Sequence, residues 1–427
     1  MVIRHTYSLF VATIALLLGS PVAHSADITD TSTRIEHPAF HTLQTKVNGS
    51  EQLPAVIMLG SDDRLTIAFD ELAEDRRYMR YELIHCDMRW RPDGLVAPEY
   101  LDGFNEAQVE DYNYSQATAA HYVHYEIEIP NEDMRPRLSG NYLLRVYDES
   151  SPDKTLLQVR FNIVEALAHV SASASSRTDI DHNESHQQLT IAVDTDGADI
   201  ANVFSDMAIT VSQNGRIDNS VTIGNPSRIA GKTVYYEHNP SLIFPAGNEY
   251  RRMEIVSTTY PGMGVESLGY ADPYYHATLY TDQPRDELPY TFDSTQHGRF
   301  RIREYNADDS DTEADYIVTH FSLAVPEHPG IDIFIDGDMT QRRFSPESRM
   351  VFNRATGLYE HSMLLKQGAY NYQYLAVDRN GSTLGHTSLI EGDRYQTTNE
   401  YLILVYHRRP GERYDRLIGV TSTLSGI

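Results

Sequence analysis

Apolar and polar residues alternate along most of this chain. Val123, Tyr125, Ile127 and Ile129 are separated by His124, Glu126 and Glu128, and Val159, Phe161 and Ile163 by Arg160 and Asn162. Leu189, Ile191 and Val193 alternate with Thr190 and Ala192, and Ile331, Ile333 and Ile335 with Asp332 and Phe334. Successive side chains of a strand point to opposite faces, so this period buries one face and wets the other. Similar runs predict strands at 65–69, 80–86, 142–147, 207–211, 251–257, 316–325, 370–377 and 401–407. Asn48-Gly49, Ser139-Gly140-Asn141, Asn214-Gly215 and Asn380-Gly381 punctuate them with residues that tolerate positive φ. Long amphipathic helical patterns are nearly absent. The pattern predicts an all-β chain of tandem antiparallel β-sandwich, immunoglobulin-like domains. The 29 tyrosines suit half-buried sheet faces.

The first 25 residues break the pattern. Arg4 and His5 precede an apolar run from Leu9 to Leu18, and Ala23 and Ser25 stand where a signal peptidase cuts. The run is about half the roughly 20 residues needed to cross a bilayer. No cysteine follows it for lipid attachment, and no later stretch is long and apolar enough for a membrane helix. A cleaved signal peptide over 1–25 and export are expected. An Ala/Ser-rich stretch at 166–176 and the segment Pro326-Glu327-His328-Pro329-Gly330 suggest boundaries, because proline removes ladder donors. The expected division is three sandwiches, at 30–165, 166–325 and 326–410, the last early-set-like, with a tail over 411–427.

The formal net charge of −26 repels phosphate backbones and argues against nucleic-acid binding. Cys86 is the sole cysteine, which rules out an internal disulfide and a multi-cysteine metal site. Its apolar strand context predicts a buried, unreactive thiol.

Candidate chemistry is sparse. Asp179, Asp181 and Asn183 have the opening spacing of a calcium loop, but Glu184 and Thr190 replace the required Gly and Glu. His182 and His186 are four apart in a polar loop, without the glutamate placement of the zinc-protease helix. His121 and His124 are three apart and would face opposite sides of a strand. Asp336-Gly337-Asp338 offers two carboxylates but reads as a turn ending a strand, not as a glycosidase pair. Trp90, the one tryptophan, reads as a core or rim residue, with a binding anchor as the functional alternative. No nucleophile elbow or phosphate-cradling loop is present. No catalytic, metal- or cofactor-binding residue is assigned, and the chain is expected not to be an enzyme.

One ordered series of residues is more specific. Arg80-Tyr-Glu-Leu-Ile-His-Cys-Asp-Met-Arg-Trp90 is followed by Glu99-Tyr-Leu-Asp-Gly-Phe104, Asp111-Tyr112 with Ser115, His121-Tyr-Val-His-Tyr125, Ile129-Pro-Asn131 and Ser139-Gly-Asn-Tyr-Leu-Leu-Arg-Val-Tyr147. This series resembles the first domain of the type IX secretion system plug proteins of Bacteroidota. Weaker similarity returns at Met350–Asn353, Gly357–Glu360 and Leu365–Tyr374, a region that also resembles early-set modules related to glycogen-binding domains. The resemblance implies a non-catalytic periplasmic protein, peripheral to the inner face of the outer membrane. Such a protein docks on the periplasmic opening of the giant translocon barrel and keeps it closed without cargo. It implies no cofactor and no small-molecule substrate, and it leaves the docking surface open. The alternative is a periplasmic carbohydrate-binding protein using the C-terminal module, although the tryptophans such modules stack on sugar are missing after Trp90. An undetected hydrolase is a third possibility.

Overall fold

A computed structural model describes residues 30–180 and 182–426. The predicted signal peptide at 1–25 and Asp181 lie outside the described residues. Strands dominate, and the α-helices among the described residues are single turns of four residues. No described helix is long and apolar enough to cross a membrane.

The first sandwich packs two sheets. One runs Arg34–Ile35, Ser151–Val164, Gly140–Asp148, Met79–Cys86, Ala107–Gln108, with Val56–Met58 added parallel to Ser151–Val164. The other runs Phe40–Val47, Leu65–Glu71, Val123–Ile129, Asp111–Tyr114. The predicted alternation carries the core: Leu65, Ile67, Phe69, Val123, Tyr125, Ile127 and Ile129 point inward against Leu83, Leu144 and Val159. Gly140–Asp148 is central and buried on both faces, so Ser139-Gly140-Asn141 opens a strand and is not a surface turn. Asn48-Gly49 and Asn214-Gly215 do make tight turns, all four residues having positive φ.

Sheet pairing assigns the rest of the chain differently from a linear division. In the second sandwich, His169–Ser175, His186–Asp194, Thr233–Tyr236 and Arg228–Ala230 form one sheet, with Ile243–Pro245 also paired to His186–Asp194. The facing sheet runs Val221–Ile223, Met207–Gln213, Glu400–His407, Arg416–Leu424. The expected tail therefore contributes a core strand, and Tyr401, Ile403, Val405 and Ile418 pack with Leu189, Ile191 and Ile209. The 166–176 stretch, read as a boundary, contains the first strand of this sandwich.

The third sandwich, from Arg251 to about residue 390, is inserted between the two parts of the second. Gly368–Asp378 is flanked in one sheet by Arg251–Glu254 and Phe300–Ile302, and further along by Ile331–Asp336 and Gly385–His386. The facing sheet runs Val265–Ala271, Tyr274–Leu279, Tyr316–Leu323, Leu358–Lys366, Val351–Asn353. The segment 326–330 thus does not divide domains; it carries the chain from one sheet to the other within one core. Proline interrupts a ladder equally at an inter-sheet corner and at a linker, so its position alone could not separate the two cases.

This insertion makes a testable demand. A chain ended at Pro410 loses Leu417 and Ile418, both with no exposed surface. It is expected to lose cooperative thermal unfolding and soluble yield. Wild-type melting of the truncated chain would instead show that residues 411–427 are dispensable.

Candidate functional site

The polar chemistry of this molecule is concentrated where the sandwiches meet. At the joint between the first and third, Asp70 has no exposed surface. It lies on the face of Leu65–Glu71 opposite the core. His124 Nδ1 binds one carboxylate oxygen at 2.6 Å, while Tyr316 Oη and Lys366 Nζ donate to the other at 2.7 and 2.6 Å. Lys366 Nζ also donates to the Asp311 carbonyl at 2.6 Å and lies 4.1 Å from the centre of the Tyr122 ring. Around this knot, Thr42 pairs with Tyr316 Oη, Gln44 donates to the Phe300 carbonyl and Tyr122 Oη donates to the Ala314 carbonyl. Asp315 receives the backbone N–H groups of Ala119 and Ala120.

Burial alone would raise the Asp70 pKa, but Lys366 and His124 outweigh it and hold the carboxyl below its ordinary value. Burial would by itself lower His124, yet its bond to Asp70 and the Glu126 carboxylate 3.6 Å from its Nε2 lift it to about 9. His124 is therefore a cation at neutral pH. Its Nε2, with Glu126 and Asp311, forms the one three-residue group among the described residues spaced to hold a metal. Lys46 Nζ lies 2.9 Å from Asp311 and 3.7 Å from Glu126, so an ammonium already supplies the positive charge there. A protonated imidazole has no lone pair for a metal, and the group reads as an ion-pair network.

The joint between the first and second sandwiches is built largely from the residues singled out in the sequence series. Asn141 donates to the Asp87 carbonyl at 2.8 Å, and its Oδ1 accepts from Asn162 Nδ2 at 2.6 Å and Tyr406 Oη at 2.7 Å. Asp415 accepts from the Met88 N–H and from Arg408. His85 is bound to Asp93 and sits edge-on to Tyr142 and Tyr414. Gly140, at φ +139°, brings the chain under His85; a Cβ there would meet His85 Nε2 at 2.7 Å and the Asp415 carbonyl at 3.0 Å. Val164, Leu404, Tyr406 and Leu417 close the joint with apolar surface.

The second and third sandwiches are joined by Arg299 to Glu400 and by Arg216, which holds Asp218 and the Gly385 carbonyl. All three sandwiches border an open cleft of about 520 Å³. Trp90 and Arg160 line it from the first, Thr210 and Glu400 from the second, Arg299 and Arg342 from the third. Arg160 stacks 4.5 Å over Trp90, while Arg299 and Arg342 are held by carboxylates.

The sequence candidates fall apart in space or serve the fold. Asp179 accepts from Gln188, and Asn183 from the Thr178 N–H. The His182 and His186 rings do come together, with centroids 4.8 Å apart, but His186 Nδ1 is taken by the Ser185 hydroxyl. His121 pairs with Glu74 at the surface and does not converge with His124. Asp336 and Asp338 both grip the Arg342 guanidinium, and so do not face each other across a cleft. Cys86 is buried, and burial pushes its thiol up to about 12. Sequence reasoning missed Asp70, Lys366 and Tyr316. His124 stands on a strand face expected to be wet, Asp70 lies just beyond the strand predicted at 65–69, and nothing local marks the partner that covers them.

Comparison with known proteins supports the same region. The family model for the type 9 secretion system plug protein first domain matches residues 40–165. A crystal structure of a hypothetical protein from Parabacteroides merdae is 41% identical, covers 92% of this chain and 99% of that one, and superposes with a TM-score of 0.91. A DNA-bound alkylpurine DNA glycosylase from Pseudomonas fluorescens aligns over 29% of each chain at 13% identity, and its TM-score of 0.16 carries no argument. No curated protein matches the chain.

Two measurements test the joints. His124, raised above its ordinary 6.5, contributes stability that is complete below that value and lost as pH climbs through about 9. Asp70, lowered, contributes above 3.8 and loses it as pH falls through its depressed value. The melting temperature should therefore peak between these limits, and His124→Gln should flatten its alkaline limb; an unchanged limb would sink the assignment. Asp70→Ala strands two buried cations and should cost about 3–5 kcal/mol in denaturant unfolding. Gly140→Ala should cost about 2 kcal/mol from the strained φ, before any clash with His85.

Proposed function

We propose, for a chain that belongs to the type 9 secretion system plug protein family, that it closes the translocon of that system from the periplasmic side. The observation that carries this reading is the match of residues 40–165, nearly all of the first sandwich, to the plug first domain. The coarse role, a part in type 9 secretion at the cell envelope, follows from family membership. The finer reading is a non-catalytic stopper that docks on the periplasmic opening of the outer-membrane barrel when no cargo fills it.

The architecture suits that task. Three sandwiches cross-linked at three joints make a broad, stiff body, which loses little conformational freedom on docking. Candidate catalytic carboxylates and the lone thiol are spent on guanidinium pairing and burial. The net charge of −26 disfavours nucleic acid as a partner. The carbohydrate reading loses its platform, because Tyr359, Tyr370, Tyr372 and Tyr374 are buried and the last two direct their hydroxyls to Asp282.

Deleting the gene in a cell with an assembled translocon is expected to admit large polar antibiotics that the intact envelope excludes. Growth inhibition by such compounds, restored to wild-type resistance by complementation, is the measurement. An unaltered permeability barrier in the deletion strain would count against the plug role.

A further inference from the structure

The third sandwich leaves one long sheet edge open. Val265–Ala271 pairs on one side with Tyr274–Leu279, and among the described residues its Glu266–Ala271 backbone makes no bond to anything else. The other long edges lie against neighbouring structure, although not all are hydrogen-bonded to it. Phe40–Val47 faces the third sandwich, where Gln44 reaches the Phe300 carbonyl. Arg416–Leu424 and His169–Ser175 pack against each other, and the N–H groups of residues 165, 167 and 168 bind the Leu417 and Ile418 carbonyls at the start of the former. Ile331–Asp336 is covered by Ser348 and Met350. The remaining edges are strands of two to four residues.

An exposed row of backbone donors and acceptors invites pairing, and proteins normally blunt it with lysine, proline or a bulge. Val265–Ala271 contains no lysine and no proline, and one charge, Glu266. Its bulge lies at the start, between Val265 and Ser267; from there to Ala271 the register is regular. Gly269 is a second sign. Its φ is not positive and a Cβ would meet nothing within 4 Å, so the fold has no need of glycine there. Glycine inside a strand weakens it and often marks a place where another backbone approaches. Period two puts Ser267, Gly269 and Ala271 on one face, a flat and small-sided surface. Tyr270, 56% exposed and edge-on to Tyr275, and Tyr280, 61% exposed, supply apolar contacts next to it.

We propose that Val265–Ala271 is a strand-addition site, taking an extended segment of a protein partner by backbone pairing. The unpaired ladder groups specify a strand as occupant, since no other backbone conformation satisfies the whole row. Glu266 and Asp272 place acidic charge at both ends of the edge, which favours a segment with basic flanks. The inference rests on the docking role proposed above, which supplies the partner: a periplasm-facing extended segment of the translocon.

The test is co-isolation of the full-length chain with the affinity-purified translocon. Gly269→Lys and Ser267→Lys each set a charge on the edge without filling packed space, and Val351→Lys does the same at the opposite edge of the same sheet. Recovery with the translocon should fall at least tenfold for the two edge variants and stay at the wild-type level for Val351→Lys, with all melting temperatures unchanged. A photoreactive residue at position 267 should cross-link to one contiguous translocon segment. Wild-type recovery of both edge variants, or cross-links absent from position 267, overturns the edge assignment and leaves the plug role standing. Absence of the wild-type chain from the purified translocon overturns both.

Discussion

Asp70 is a carboxylate with no access to water, and removing such a charge from solvent costs several kcal/mol unless good partners replace the hydration. It is met by an imidazolium from its own sandwich and by an ammonium and a phenol from another. A buried pair of this kind adds little net stability over an apolar contact, but it is intolerant of misplacement. Moving the third sandwich by even a side-chain length would take Lys366 and Tyr316 away from Asp70 and leave a buried ammonium without its carboxylate. The relative position of the first and third sandwiches thus depends on this one carboxylate, and with it the shape of the cleft they share with the second.

Chain routing reinforces that constraint. The third sandwich is tethered at both ends to the second, because the chain leaves after Ile243–Pro245 and returns at Glu400–His407. The second is in turn fixed to the first by Asn141, Asp415 and the apolar contact of Tyr406 and Leu417. Each sandwich touches the other two, so no single hinge lets one swing free. The three joints together thus hold the relative placement of all three sandwiches.

The residue series that links the chain to its family acquires a physical meaning here. His85, Asp87 and Met88, with Gly140 and Asn141, lie at the joint with the second sandwich. Gly140 is required because the backbone passes within van der Waals distance of a histidine ring, and Asn141 because one amide must serve a carbonyl, a second amide and a phenol. The likeness is therefore a likeness of assembly, and it agrees with the Parabacteroides merdae structure superposing over nearly the whole chain.

Much of this was legible in the chain alone. Strict alternation at 123–129 and 159–163 named the inward faces, because pleating forces period two on any strand with one dry side. The apolar run around the lone Cys86 pointed to a buried thiol, which the structure shows. What local pattern could not convey was which wet-looking face meets another sandwich. His124 reads as a solvent-facing position and nothing local singles out Asp70 or Lys366, since a polar side chain looks the same in sequence whether water or a distant residue completes it. Nor could it tell that Arg416–Leu424 returns to a sheet begun more than 200 residues earlier, or that Pro326 and Pro329 turn a corner inside one core. Strand formation is set by neighbours along the chain, while strand pairing and burial of charge are set by neighbours in space, and those exist only once the whole chain has folded.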